Sequence, residues 1–521
     1  MGSSMSRFLA LTERAFQLYG SLTMIRVSSQ EGSDRLGGST LLACLLKWAD
    51  VQPDSPCVRV SGTGVELSYQ QVVSLVGQYS GTLSRHAVKP GDRVYLALEN
   101  DWTWVVAMLA CEAIGAIAVA GNTRLSEHET ERMLRHCDPT VILADERQVS
   151  KIPPSMTPRV VDVHSAHEGV SLDVTGQNPD SPSLLAYSSG TTGEPKAVLL
   201  TARSVARSSA TYAELFESGT ETTIPVAVPL FHNTGFVDCF GHALTSGGSV
   251  DIMRRFDGRA IAQGLATGAY TFFIGVPTML HRIADTLGSD YVSQRTPWLA
   301  YGGAVMTVPV AHQFLSNFPN AKMVNCYGLS EATSITHYLP HDRSEGCWDS
   351  IGIPIPGTRD LIINSELYVD SPTLMLGYWD GEHSVATPPA LRDGVWLTTR
   401  DLVSRGDDGM LRVVSRIDGL INRGGEKIAP YEVERVLAAF RGVTEAVVVG
   451  IPDPDLGSVP VAQVAVSDRA TFDERALRTH LASELADYKI PVRIMVVDAL
   501  PRNASGKVHL ADVKRALSDE S

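Results

Sequence analysis

The chain has 521 residues, of which 44 are Lys or Arg and 58 are Asp or Glu, so its formal net charge is −14. With 44% hydrophobic and 20% charged residues, the composition is that of a globular protein and excludes a mostly disordered chain. The acidic balance and the lack of a Lys/Arg block in the sequence argue against broad nucleic-acid binding. At roughly 150 residues per domain, the length predicts about three domains or lobes.

The sequence predicts a cytoplasmic protein without a transmembrane segment. Its most apolar stretch, 105–121, is interrupted by Glu112, whereas a span needs about 20 apolar residues. No secretory signal is recognised at the N-terminus, and residues 1–35 are interpreted as an extension, part of it a cloning remnant. The seven cysteines are scattered and form no CxxC pair, which is typical of reduced core thiols rather than disulfides or zinc ligands.

Up to about residue 345, short apolar runs alternate with helix-period segments, which predicts α/β layers. The first helix in this region is predicted at 102–116, between two strands. The strands of this region are predicted at 94–98, 117–120, 140–143, 184–187, 224–229 and 271–276.

After Gly346 the pattern changes to short alternating strands within 351–369 and 410–414, typical of a small β-subdomain. The last hundred residues or so predict a compact α+β unit, a normal domain size. Its elements are helices at 430–440 and 472–487 and strands at 445–450, 461–466 and 494–497. Composition places the boundary at Asp418, which divides the chain into domains 36–417 and 418–521.

The most informative segment is YSSGTTGEPK at 187–196, which follows a predicted strand. Glycine lets the backbone turn tightly and approach an anion, successive N–H groups and hydroxyls can surround phosphate oxygens, and Lys196 adds a positive charge. The spacing does not fit a Walker loop. From these residues alone, a plain turn and a phosphate site both remain open.

The whole string resembles the phosphate loop of the adenylate-forming superfamily of acyl- and aryl-CoA synthetases, luciferases and peptide-synthetase adenylation domains. Seven further motifs of that superfamily follow in order, and the resemblance covers residues 36–517. They are PLFHNTG at 229–235, YGLSEAT at 327–333, ELYV at 366–369 with GYW at 377–379, WLTTRDL at 396–402, SRID at 415–418, GGEKI at 424–428 and PRNASGK at 501–507.

The resemblance implies an α/β protein with a large multi-lobed N-terminal domain, made of two α/β sheet lobes and a small β-subdomain, and a smaller mobile α+β C-terminal domain. It implies a carboxylate–CoA ligase that uses ATP, Mg²⁺ and CoA to convert an organic acid first to acyl-AMP and then to acyl-CoA. Partners other than these small molecules are not predicted, although a homodimer is left open.

The resemblance also assigns residues to ATP. Lys507, Glu331 and Thr192 are the expected catalytic residues, with Glu331 holding Mg²⁺ and Lys507 offsetting the repulsion between the acid and the α-phosphate. Asp401 is expected at the ribose hydroxyls with Arg416, and Tyr327 against adenine. The complete nucleotide set is Ser188, Ser189, Gly190, Thr191, Thr192, Gly193, Lys196, Gly303, Ala304, Asn325, Tyr327, Gly328, Ser330, Asp401, Arg416 and Lys507.

The remaining roles concern the acid, CoA and domain motion. Asp418 is the expected hinge about which the C-terminal domain swings, withdrawing Lys507 and presenting Gly425 to the pantetheine tunnel. The acyl pocket is expected from His232, Asn233, Phe236 and Gly302. The CoA residues are expected to be Gly424, Gly425, Lys427 and Arg255.

Two positions depart from the superfamily pattern, and two other functions stay open. Arg400 and Ser415 stand where glycine is usual, which leaves the local backbone beside Asp401 and Arg416 undecided. Transfer of the acyl group to a carrier protein is the first alternative, although the loop at 424–427 favours free CoA. A serine hydrolase is the second, but the nucleophile elbow it needs has glycine where Ala332 stands.

Overall fold

The structure is a computed structural model that describes residues 40–162, 170, 172, 177–188, 196–288, 291–304, 306–381, 385–386, 396–470, 472–502 and 508–518. Its strands are β1 (Pro56–Val60), β2 (Val65–Ser68), β3 (Arg93–Ala97), β4 (Ile117–Ala120), β5 (Val141–Ala144), β6 (Val160–Asp162), β7 (Pro182–Ser188), β8 (Lys196–Thr201), β9 (Thr223–Val226), β10 (Ser249–Ile252), β11 (Phe272–Gly275), β12 (Trp298–Tyr301), β13 (Lys322–Gly328), β14 (Ile335–Leu339), β15 (Ile353–Pro354), β16 (Arg359–Ile363), β17 (Glu366–Asp370), β18 (Gly377–Trp379), β19 (Val385–Ala386), β20 (Leu397–Arg405), β21 (Leu411–Arg416), β22 (Ile421–Arg423), β23 (Glu426–Ile428), β24 (Val443–Asp453), β25 (Gly457–Val466) and β26 (Arg493–Val497).

Helices connect these strands and cover the sheets. The α-helices are Leu41–Val51, Tyr69–Arg85, Trp102–Ala113, Glu127–Cys137, Glu146–Val149, Ala202–Leu215, Asn233–Gly235, His242–Ser246, Gly258–Thr267, Pro277–Leu287, Val308–Asn317, Pro430–Ala439, Glu474–Glu484 and Leu510–Ser518. A π-helical turn spans Phe236–Gly241, and single 3₁₀ turns span Thr157–Arg159, Ser330–Ala332, His341–Arg343, Ile417–Gly419 and Asp487–Lys489. No described helix is long and apolar enough to cross a membrane.

The largest sheet has eight strands in the order β19-β18-β8-β7-β4-β3-β5-β6. Strands β3, β4 and β5 run parallel and are buried along their whole length, because helices cover both faces. Their continuous apolar composition is what predicted them. The hairpin β7–β8 enters the helix Ala202–Leu215 directly, since the Thr201 side chain caps that helix by accepting the Ser204 amide.

The second α/β sheet has the order β11-β12-β13-β14-β15, with β11 to β13 parallel. Together these two sheets are the two α/β lobes that were predicted. A third sheet, β2-β1-β10-β9, was not predicted. In this sheet β1 pairs in parallel with β10. The two strands are far apart in sequence, so no local sequence pattern predicts the pairing.

The small β-subdomain is the antiparallel sheet β16-β17-β20-β21. The resemblance groups the GYW segment with ELYV as one signature of the small β-subdomain, but GYW does not belong to this sheet. It forms β18, which pairs with β8 at the edge of the eight-stranded sheet, with Tyr378 opposite Val198. This pairing places Tyr378 beside the strand that follows the predicted phosphate loop.

The C-terminal part is an α+β unit with the strand order β23-β22-β25-β24 and β26 parallel to β25. The helices Pro430–Ala439 and Glu474–Glu484 pack on this sheet around a core that includes Val433 and Leu477. Its elements match the predicted helices and strands. The turn Ile417–Gly419 separates β21 of the small sheet from β22, at the position proposed for the domain boundary.

Candidate active site

The predicted phosphate loop connects two paired strands. β7 and β8 are antiparallel, and Ser188 lies opposite Lys196 in their register. Lys196 begins β8 with an exposed side chain. The predictions on the loop itself lie outside the described residues, as does the prediction on Lys507. The loop residues concerned are Ser189, Gly190, Thr191, Thr192 and Gly193.

Glu331 lies on a tight turn that follows β13. The turn starts at Gly328, where an added Cβ would lie 1.7 Å from the Ser334 carbonyl oxygen, so glycine is required. The 3₁₀ turn Ser330–Ala332 then presents Glu331, whose Oε1 accepts a hydrogen bond from the Tyr378 hydroxyl at 2.7 Å. The predicted metal ligand therefore has a fixed partner on a different sheet.

Tyr327, Asp401 and Arg416 meet at the carboxyl end of β13. The Tyr327 hydroxyl donates to Asp401 Oδ2 at 2.5 Å, and Arg416 Nη1 lies 3.2 Å from Asp401 Oδ1. Asp401 and Arg416 are directly opposite each other on β20 and β21. Asp401 is only 7% exposed, so its charge is shielded from water and balanced by the guanidinium.

These groups and Glu331 belong to one site, because Tyr378 connects them. Burial, followed by the Glu331 charge, raises the pKa of the Tyr378 hydroxyl, and the nearby Arg416 acts in the opposite direction. The charges of the predicted metal ligand, Glu331, and of the predicted ribose residue Arg416 therefore both act on the Tyr378 hydroxyl. The role of Tyr378 was not predicted, although its sequence segment was noted, because only the pairing of β18 with β8 reveals its position.

The backbone beside Asp401 keeps a glycine-like conformation without glycine. Arg400 has a φ of +59°, in the left-handed region. Its amide donates to the Thr398 hydroxyl at 3.2 Å, and the Asp401 amide donates to the Thr399 hydroxyl at 3.1 Å. The open question about this backbone is therefore answered: the turn keeps its shape, and Arg400 bears the strain.

Three predicted acyl-pocket residues surround the start of the helical segment after β9. The His232 ring packs on Phe231 at 4.6 Å between centroids. The Asn233 amide donates to the Thr333 carbonyl oxygen, which ties this segment to the Glu331 turn. Phe236 is buried, and its ring centroid lies 5.1 Å from that of Trp104.

The fourth predicted acyl-pocket residue, Gly302, directly follows β12. A Cβ at Gly302 would lie 2.3 Å from the Cys326 carbonyl oxygen, so this position must stay without a side chain. The next residues, Gly303 and Ala304, are exposed. Asn325 is buried, and its side-chain amide donates to the Ser350 carbonyl oxygen at 2.7 Å. Asn325 therefore braces β13, and its nucleotide role stays a prediction.

The predicted CoA residues lie on two separate elements. Gly424 and Gly425, with φ of +59° and +97°, form the two-residue turn between β22 and β23. Positive φ at both positions is what such a hairpin needs, which explains the glycine pair independently of CoA. Lys427 is exposed on β23, and Arg255 is exposed after β10. Their binding roles stay predictions.

The hinge and the C-terminal motif are only partly described. Asp418 lies in the turn Ile417–Gly419. The start of the C-terminal motif is anchored, because Arg502 forms an ion pair with Glu445 on β24. This ion pair joins Arg502, the first of the motif's charged residues, to the C-terminal sheet.

Comparison with known proteins agrees with this geometry. A family model described as AMP-binding enzyme matches residues 45–379, and the model of the AMP-binding enzyme C-terminal domain matches residues 432–507. The 2-succinylbenzoate–CoA ligase of Bacillus licheniformis is 30% identical over 473 residues, which cover 88% of this chain and 96% of the relative. The feruloyl-CoA synthase of an Amycolatopsis species is 29% identical over 489 residues, covering 90% and 97%. The solved o-succinylbenzoate CoA synthetase of Bacillus subtilis, in complex with its acyl-adenylate intermediate, is 26% identical with a TM-score of 0.79, covering 91% of this chain and 98% of that one.

Proposed function

Since this chain belongs to the AMP-binding enzyme family and is an ATP-dependent, AMP-forming carboxylate–CoA ligase, we propose that it activates a ring-containing monocarboxylic acid. We further propose that the cluster of Tyr327, Glu331, Asp401 and Arg416 binds the nucleotide. The observation that carries the assignment is the 2.5 Å hydrogen bond between Tyr327 and Asp401, which joins the second α/β sheet to the small β-subdomain where ATP would lie.

Asp401 is suited to hold the ribose. Its two oxygens already face the Tyr327 hydroxyl and Arg416, but a carboxylate has about four acceptor positions. Because the tyrosine and the arginine fix the carboxylate, the ribose would meet an acceptor that is already oriented.

Glu331 is suited to hold Mg²⁺ together with ATP. The described residues contain no group of three or more His, Cys, Asp or Glu side chains that could hold a metal ion by themselves. Mg²⁺ typically uses one or two carboxylates and completes its coordination with phosphates and water, so one carboxylate fits. When bound, the ion would neutralise phosphate charge, while Tyr378 keeps the Glu331 side chain in place.

The chemistry needs two arrangements of this chain. In the first, an oxygen of the acid attacks the α-phosphorus, the bond to pyrophosphate breaks, and the Lys507 ammonium offsets the charge of the two anions. In the second, the CoA thiol loses its proton, its sulfur attacks the acyl carbon, and the bond to AMP breaks. Rotation about Asp418 would exchange Lys507 for the turn that contains Gly425.

The predicted acyl pocket supports an uncharged ring. Of the four residues expected to form the pocket, Asn233, Phe236 and Gly302 carry no charge, and His232 is the one that can become positively charged. Phe236 supplies an aromatic ring that packs on Trp104, and Gly302 has no side chain because the Cys326 carbonyl oxygen occupies the place of a Cβ. One relative is named feruloyl-CoA synthase, and the acyl group in that name agrees with the proposal.

ATP–pyrophosphate exchange, measured without CoA, tests the substrate class. We expect exchange with ferulate, coumarate or benzoate, and little with malonate or sulfoacetate. Exchange with malonate or sulfoacetate alone would show that the substrate class is wrong. For any acid that supports exchange, Lys507→Ala should lower the rate by roughly 10²–10³-fold, the usual loss for a charge-stabilising group.

The nucleotide assignment needs a separate test. Asp401→Asn should raise the KM for ATP by roughly tenfold or more and leave the KM for the acid unchanged, since each charge-assisted hydrogen bond contributes about 1.5–3 kcal/mol. Asp370→Asn is the matched control, because Asp370 lies on β17 of the same sheet and pairs with Arg359 at the surface. Equal effects of the two substitutions would refute the ribose role.

A further inference from the structure

A buried acid lies outside the residues assigned to the substrates, on the helical turn Phe236–Gly241. Asp238 is 3% exposed, and the hydroxyl groups of Tyr212, Ser334 and Thr234 surround its carboxyl group. Its Oδ1 is closed to solvent and has no hydrogen-bond partner among the described residues. Burying such an oxygen costs free energy, so packing alone does not explain an acid at this position.

Ser334 connects this acid to the turn that presents Glu331. The turn is strained, because Thr333 is β-branched and fully buried and has a φ of +67°. The backbone is also crowded where Gly328 approaches the Ser334 carbonyl group, and the Leu329 amide donates to that same oxygen at 3.0 Å. A strained turn of this kind persists only when its surroundings hold it.

The surroundings hold the turn from three directions. The Thr333 hydroxyl donates to the Thr373 carbonyl oxygen at 2.7 Å, and Asn233 donates to the Thr333 carbonyl oxygen. In the third direction, the Tyr212 hydroxyl lies 3.5 Å from Ser334 Oγ, and Asp238 lies beside both hydroxyls. Asp238 is the ionisable group of this third support.

We propose that Asp238 is a positioning residue for Mg²⁺-dependent ATP binding. Together with Tyr212 it fixes Ser334, and Ser334 in turn fixes the strained turn so that Glu331 faces the nucleotide. The inference rests on the metal-binding role proposed above for Glu331. Asp238 is far from Glu331 in the sequence, and for this reason no sequence motif identifies it.

The charge state of the cluster supports this role. Burial raises the pKa of Asp238 to about 7, and the hydrogen bonds of the Ser334, Tyr212 and Thr234 hydroxyl groups act in the opposite direction. Burial also raises the pKa of Tyr212 on one side and of Cys326 on β13, so both stay uncharged. Burial lowers the pKa of His242, whose ring faces the Asp238 backbone, to about 3. These groups provide no cation for an ionised Asp238.

Calorimetric titration of ATP with and without Mg²⁺ tests the inference without relying on turnover. Asp238→Leu should reduce the Mg²⁺-dependent gain in ATP affinity by about tenfold, the loss expected for one hydrogen bond to a charged or strongly polar group. Asp238→Asn keeps a donor and should stay close to the wild type. Thr245→Val is the matched control, because Thr245 is buried in the helix that follows the turn Phe236–Gly241 and its hydroxyl donates to the His242 carbonyl oxygen.

Glu331→Gln separates this inference from the proposed function. If Glu331→Gln keeps the full Mg²⁺-dependent gain, the metal role of Glu331 is wrong and the inference falls with it. If Glu331→Gln removes the gain and Asp238→Leu keeps it, only the role of Asp238 is wrong. Should Asp238→Leu fail to fold, Ser334→Ala decides: the same loss supports the inference, and an unchanged gain overturns it.

Discussion

Arg400 holds a costly backbone conformation beside Asp401, at the edge of the proposed ribose site, and substitution by glycine measures that cost. An L-residue in the left-handed region loses roughly 1–2 kcal/mol, because its Cβ approaches the following carbonyl oxygen. Glycine avoids this loss but gives up about 0.5–1 kcal/mol through its greater freedom in the unfolded chain. We therefore expect Arg400→Gly to be more stable than Arg400→Ala by about 0.5–1 kcal/mol.

Comparing glycine with alanine removes the side-chain contribution, since both variants lack the guanidinium group of Arg400. Ser404 provides the matched position, because it is exposed on the same strand and its φ is not positive. There the order should reverse, with Ser404→Ala more stable than Ser404→Gly by about 0.5–1 kcal/mol. The two positions should thus differ by about 1–2 kcal/mol in their preference for glycine.

The assay is urea unfolding of the four variants, followed by tryptophan fluorescence and circular dichroism, with the free energies taken from the shift of the midpoint. If alanine is preferred to glycine at Arg400 as strongly as at Ser404, the positive φ carries no cost and the reasoning is refuted. The KM for ATP should change little in Arg400→Gly, because glycine keeps the backbone that places Asp401.

Three further outcomes follow from the described geometry. Tyr378→Phe removes the hydroxyl that bonds Glu331 and should weaken Mg·ATP binding by roughly three- to tenfold, as measured by calorimetry, with binding of ATP alone unchanged. Gly425→Leu should keep pyrophosphate exchange and impair thioester formation, and loss of both would contradict the two arrangements. Asp238→Asn should gain stability relative to the wild type as the pH rises. The raised pKa means that folded Asp238 keeps its proton up to about pH 7 whereas the unfolded chain loses it near pH 3.8, so wild-type stability falls over this window and the variant lacks the fall. Between pH 5 and pH 7, the free energy of unfolding in urea should fall by on the order of 2–3 kcal/mol more in the wild type than in Asp238→Asn.

The sequence predicted the fold well wherever the signal is local. The buried strands β3, β4 and β5 are continuous apolar runs between helices, and the observed ends lie within a residue or two of the predicted ones. The third sheet escaped prediction because β1 pairs with β10 across the chain. Similarly, the pairing of β18 with β8 of the large sheet was not predicted, because tertiary packing decides which strands pair.

The site was predictable to the extent that short motifs carry it. Asp401 and Arg416 were expected together, and the structure brings them to 3.2 Å. The supporting residues were not predictable, because their contacts join segments that are distant in sequence. Tyr378 reaches Glu331 only through sheet pairing, and Asp238 is one acid among many until its burial is known.

Strain and rigidity occur together around the nucleotide cluster. The hydrogen bond between Tyr327 and Asp401 joins β13 to β20. A residue with positive φ lies near each strand: Thr333 follows β13, and Arg400 lies within β20. A site held in this way is already formed before ATP arrives, so little binding energy is lost in ordering it. The energy of ATP binding would then be available for the larger change, the proposed movement of the C-terminal domain about Asp418. A rigid nucleotide cluster and a movable domain would thus have separate roles. The first accounts for the costly backbone at Arg400 beside the proposed ribose site, and the second for a proposed hinge that is a single short turn.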